Sequence, residues 1–192
     1  MIWTHRGIAI PLEVYHGVPE GWYAKDILAE HIKLGGTFDI GGPEATEPCA
    51  PSWMPERKAW LQYRATLYRI GDGLTANDSA CVELAVRYIE LRHIGSYSGY
   101  IRSHLSRRLK HVQLSADHER RLHEHFSALV LNGERTEEYR NYIKLWRKFI
   151  TKEQAEELLK KLSGSRKDVT WLSDRLLANH AAADGRAFCR PG

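Results

Sequence analysis

From residue 79 onward the apolar positions of the chain recur at intervals of three and four, the period of a helix that buries one side. In 79–94, Cys81, Val82, Leu84, Ala85, Val86, Tyr88, Ile89 and Leu91 cover most of the circumference and leave Glu83, Arg87 and Glu90 as a narrow polar stripe. That pattern belongs to a central core helix, its stripe supported by a Glu83–Arg87 pair at i,i+4. Cys81 within it reads as a small buried hydrophobe and not as a nucleophile. In 98–112 the apolar set shrinks to one line of Ile101, Leu105, Leu109 and Val112. In 139–149, Tyr139, Tyr142, Ile143, Trp146 and Phe149 gather on one side.

The punctuation between these segments is regular. Leu74-Thr75, Leu114-Ser115 and Ile150-Thr151 each place an apolar staple and a capping hydroxyl ahead of a helical pattern, and Thr151 with Gln154 has the spacing of a capping box. Asn132-Gly133 and Ser163-Gly164 are stop signals. Together they predict helices at 76–93, 98–112, 116–131, 137–149, 152–162 and 169–181. Upstream, 19–36 reads as a helix ending at Gly35 and Gly36, and a further helix starts at Pro55 and stops at Gly71-Asp72-Gly73. A Gly- and Pro-rich loop covers 37–52, and residues 7–15 hold a short strand broken by Pro11. The expected fold class is mainly α: an irregular region with one or two helices over 1–73 and room for a strand pair, a compact multi-helix domain over 74–182, and a flexible tail over 183–192.

Composition narrows the class without naming a function. The 192 residues are 43% hydrophobic and 27% charged, an ordinary globular balance that supports a sizeable core. The start, MIWTHRGIAIPLEVY, lacks the apolar stretch and cleavage site of a secretory signal. No run approaches the roughly 18 apolar residues of a membrane span, so no integral membrane association is expected. Three cysteines, Cys49, Cys81 and Cys189, show no paired or metal-ligand spacing, which points to reduced thiols and a cytoplasmic setting.

Charge changes the picture, because it is unevenly placed. Residues 1–75 carry 7 Lys/Arg against 9 Asp/Glu, and residues 76–192 carry 21 against 15. Between Leu91 and Ala116 stand five Lys/Arg and three His with no acid, and no acid lies between Glu138 and Glu153. Solvated helix faces usually alternate sign, whereas these two tolerate self-repulsion that a polyanion would relieve. Arg102, Arg107, Arg108, Lys110, Arg140, Lys144, Arg147 and Lys148 are therefore the candidate phosphate contacts, with Tyr97 and Tyr100 as candidate stacking residues. The partner expected first is DNA, RNA or a nucleoprotein complex. An adaptor or inhibitor docking an acidic protein surface is the alternative.

An enzymatic reading has one motif to rest on. An Arg followed by four to six residues and a His, present at Arg87/His93, Arg120/His125 and Arg175/His180, resembles the motif of HEPN-type ribonucleases. The resemblance implies a His that moves the proton of the attacking or leaving oxygen and an Arg that stabilises the anionic transition state. Only Arg120, followed by Arg121, keeps the polar residue that often follows the motif's Arg; Tyr88 and Leu176 follow the other two. The 18 Arg and 10 His of this chain produce about three such pairs by chance, which ranks the ribonuclease third and assigns no catalytic residue. GSYSG at 95–99 centres on Tyr97 and makes no nucleophile elbow. His104, His111, His118 and His125 stand seven apart, but Leu114-Ser115 breaks the helix between them and no HExxH is present, so no metal and no cofactor is expected.

Overall fold

The computed structural model describes residues 2–5, 8–11, 17–41, 55–136, 138–162 and 166–178. Its fold is mainly helical, as the periodicity predicts. Two short antiparallel strands, β1 (Ile2–His5) and β2 (Ile8–Pro11), pair Ile2 with Pro11 and His5 with Ile8. Eight helices follow among the described residues: α1 (Ala24–Lys33), α2 (Pro55–Thr75), α3 (Ser79–Glu90), α4 (Ser98–Leu109), α5 (Ala116–Leu131), α6 (Tyr139–Trp146), α7 (Lys152–Lys161) and α8 (Arg166–Leu176). None is long and apolar enough to cross a membrane. Cys49, the tail over 183–192 and most of the 37–52 loop lie outside the described residues.

The chain forms two compact units, Met1–Leu114 and Ser115–Gly192. A boundary expected after residue 73 would cut through α2, which packs on both α3 and α4. In the first unit α3 is the central helix. Cys81, Ala85, Val86, Tyr88 and Ile89 are fully enclosed, and Leu84 is 3% exposed. Tyr63 of α2 and Tyr88 of α3 share a buried hydroxyl–hydroxyl hydrogen bond of 2.8 Å, so each satisfies the other's polar end.

Two expectations in this unit are corrected. Gly71-Asp72-Gly73 does not stop α2, which continues to Thr75. Here the glycines serve close packing: a Cβ at Gly71 would strike the His104 ring, and one at Gly73 would strike the Cys81 sulfur. The cap of α3 is accordingly Asp78 and not Thr75, its carboxylate accepting the Cys81 N–H at 2.8 Å.

The second unit is built from α5 to α8, with α5 against α6, α6 against α8, and α7 against α8. Its predicted punctuation is observed at Ser115, Gly133 and Thr151, and the Ser163-Gly164 stop lies outside the described residues. Ser115 caps α5 by accepting the His118 N–H, and Thr151 and Gln154 form the reciprocal capping box of α7. Past α5, Gly133 takes a left-handed φ of 69° and lets Glu134 N–H reach back to the Leu129 carbonyl at 2.9 Å. Trp146 at the end of α6 is fully buried, and Phe126 and Tyr142 stack at 4.8 Å beside it.

Candidate functional site

The two acid-free segments fold into different environments. In α4 the predicted apolar line is real, with Ile101, Leu105, Leu109 and Val112 all buried. Packing of α2 and α3 against the same helix also covers positions expected to face water. Arg102 is only 7% exposed and donates through Nη1 to the His93 carbonyl at 2.5 Å, and Ser106, fully buried, donates to the Arg102 carbonyl at 2.7 Å. Arg102 is therefore corrected from a phosphate contact to a structural cation that closes the turn between α3 and α4. Arg108 is half-buried and spans to the end of α2, donating to Thr75 Oγ1 at 2.9 Å with Asp72 3.9 Å away. Of this candidate set Arg107 and Lys110 are exposed. His104, packed on Tyr68 at 5.0 Å, titrates below the ordinary imidazole value, first because it is desolvated and then because Arg108 and Arg107 stand near it.

Tyr97 and Tyr100 are exposed, 48% and 64%, with ring centroids 5.7 Å apart. Tyr97 sits at φ 63°, a left-handed conformation in which a bulky residue is strained. Ser98 bonds both the N–H and the carbonyl of Gly95 and fixes the turn. The strained residue lays its ring against Trp60 at 5.8 Å, and the Arg64 guanidinium stands 4.8 Å from the Trp60 ring and 5.3 Å from Tyr97.

In α6 the geometry is outward. Tyr139, Tyr142, Ile143, Leu145 and Trp146 fill the core side, which forces Arg140 and Lys144, four residues apart, to the opposite side. The Trp146 indole N–H donates to His123 Nδ1 at 3.1 Å and locks the last turn to α5. An indole nitrogen only donates, so His123 presents a lone pair there and is neutral. Burial accordingly holds its pKa below the ordinary value, against the opposing pull of Glu124 and Glu157.

Helix α8 completes the arrangement. Trp171 stacks on Tyr139 with centroids 6.0 Å apart, and Arg175 lies over Trp171 at 5.5 Å. Arg140 and Lys144 of α6, Arg147 at its C-terminal cap and Arg175 of α8 thereby line a cavity of about 230 Å³, walled also by Ile143 and Trp171. Four cations line it, and no carboxylate stands among its described lining residues. Lys148 is exposed outside this lining. Sequence reasoning found three of the four cations. It missed Arg175, which it weighed only for a spacing to His180, a residue outside the described ones.

The ribonuclease pair is differently disposed. Arg120 is fixed between Asp117 at 2.6 Å and Glu124 at 2.9 Å, so its guanidinium faces carboxylates of its own helix. His125 rests edge-on against Phe126 and Tyr142. Arg87 is similarly engaged, by Glu83 at 2.5 Å and Glu30 at 2.8 Å. Compared with known protein families, curated proteins and solved structures, the chain matches none.

Proposed function

We propose that this chain is a non-enzymatic, phosphate-reading partner of nucleic acid that binds through the α6–α8 cavity. One observation carries the reading: Arg140 and Lys144 of α6, Arg147 at its C-terminal cap and Arg175 of α8 converge on one concavity, with no carboxylate among its described lining residues. Like charges held together cost stability unless a polyanion relieves them, and Arg forks with a Lys point charge are the donors that phosphate oxygens accept from. The cavity volume of about 230 Å³ is below the ~300–1,000 Å³ of enclosed small-molecule sites, which favours one segment of a polymer over a whole cofactor. Trp171 is already engaged by Tyr139 and Arg175, so its role is to hold Arg175 in place, and the site reads backbone charge and not base identity.

Fluorescence anisotropy with labelled single-stranded and duplex DNA and RNA at about 50 and 200 mM salt tests this. The expected result is binding to all of them that weakens steeply with salt, and a uniform loss for Lys144→Glu. No cleavage of a labelled RNA is expected over a wide pH range. Absence of nucleic-acid binding at the lower salt, with capture of an acidic protein that Lys144→Glu loses, would replace this reading by the adaptor.

A further inference from the structure

We propose that His31, Asp78 and Cys81 form a zinc site in the first unit, an inference independent of the nucleic-acid reading. The three residues come from the last turn of α1, the cap of α3 and the first turn of α3. Their donor atoms all lie within 4.8 Å of one another, and all three residues are buried. His31 Nε2 is 3.1 Å from Asp78 Oδ1 and 3.5 Å from Cys81 Sγ. Zinc bound tetrahedrally at about 2.0–2.3 Å sets neighbouring donors roughly 3.2–3.7 Å apart, so the two His31 edges already fit and the Asp78–Cys81 edge, within 4.8 Å, closes by at most about 1 Å through side-chain rotation.

The donor set selects the metal. Sulfur, imidazole nitrogen and one carboxylate oxygen are the ligands zinc takes, whereas calcium and magnesium require oxygen ligands in greater number. Two anionic ligands balance the dication, which suits a buried position. The carboxylate is also oriented as a ligand's outer contacts orient it: Oδ2 accepts the Thr37 N–H at 2.6 Å and the Phe38 N–H at 2.9 Å, and Oδ1 accepts the Cys81 N–H at 2.8 Å. Backbone closes the surroundings, since a Cβ at Gly36 would strike the His31 ring and one at Gly73 the Cys81 sulfur.

Binding is a proton-releasing ligand exchange. The Cys81 S–H bond breaks as the zinc–sulfur bond forms and its proton leaves to solvent, while the imidazole keeps one proton, on Nδ1, and gives the Nε2 lone pair to the ion. Three protein ligands leave the fourth position to a water molecule.

The test uses the full chain carrying Cys49→Ser and Cys189→Ser, which leaves Cys81 as its one thiol. Titration with Co²⁺ is expected to give a thiolate-to-cobalt charge-transfer band and visible four-coordinate bands that saturate at one equivalent, and one equivalent of Zn²⁺ is expected to abolish them. His31→Gln should weaken cobalt affinity by at least about 10-fold, and Cys81→Ser should remove the charge-transfer band with the helical circular dichroism retained. Two results overturn the site: no cobalt band and no zinc retained on dialysis in the folded Cys49→Ser/Cys189→Ser chain, or a charge-transfer band that persists in Cys81→Ser. The first needs no change at any proposed ligand, so it holds whether or not the ligand variants fold.

Discussion

In α4 two of the three cations, Arg102 and Arg108, are engaged by the fold. Arg102 is buried on the His93 carbonyl and Arg108 reaches Thr75, so much of that helix's charge is consumed in joining α2, α3 and α4. In α6 the same residue types turn outward, because five apolar residues of an eight-residue helix occupy its core side, and Arg175 of α8 meets them across a cavity. Two acid-free basic segments thus have two physical meanings. Arg102 and Arg108, held by a carbonyl and a hydroxyl of their own chain, are part of the fold, whereas the cations lining the α6–α8 cavity are the ones proposed to meet a partner.

The largest effect expected on this comparison concerns the core side that orients α6. Trp146 is fully buried, packed at a tilt against Phe126 and bonded to His123. Trp146→Ala should cost about 3–5 kcal/mol in urea unfolding of the full chain, as large-to-small core changes do. A variant as stable as wild type would mean that α6 does not present its cations as described.

Next in size is the contrast within α4. Arg102→Ala leaves the part-buried His93 carbonyl without this donor and should cost about 1–3 kcal/mol, whereas Arg107→Ala at an exposed position should stay within about 0.5 kcal/mol. Equal small costs would return Arg102 to the solvent-facing set.

Much of this organisation is legible in the sequence. The periodicity gives the helices, Ser115 and Thr151 give their caps, and the missing acids give the two basic segments. Three things were not legible, for physical reasons. Glycine reads locally as a helix stop, and only the neighbouring His104 and Cys81 reveal Gly71 and Gly73 as packing positions. A helical projection knows one buried face, so it cannot show that α4 is covered by two partners and takes Arg102 and Ser106 inside. His31 lies 47 residues from Asp78 and 50 from Cys81, and no local spacing announces a cluster assembled from two distant helices.

A smaller effect follows pH. His93, His104 and His123 are all held below the ordinary imidazole value of 6.5, with desolvation the leading cause in each. The unfolded chain therefore binds protons first on acidification, and stability present above about pH 6.5 is lost as pH falls through the window beneath it. Asp78 is depressed by the backbone N–H groups of Phe38, Cys81 and Thr37, which outweigh the opposing effect of its burial, the largest single cause. Its contribution is present above the ordinary carboxylate value and is lost only at still lower pH. Thermal melts should fall between about pH 7.5 and 5.5; level melts there would mean the three imidazoles are solvated. Arg107→Glu should raise the His104 midpoint in an NMR titration, because it replaces a repelling charge by an attracting one.

The central claim is that α6 and α8 hold the phosphate contacts and α4 does not, and the slope of log affinity against log salt measures it directly. Each lost phosphate contact removes about 0.9 of a unit on duplex DNA. The triple reversal Arg140→Glu, Lys144→Glu, Arg175→Glu should flatten that slope by about two to three units, and the double reversal Arg107→Glu, Lys110→Glu should leave most of it in place. A slope lost through the α4 pair and retained by the α6–α8 triple, or no salt-dependent binding by wild type, would contradict the account.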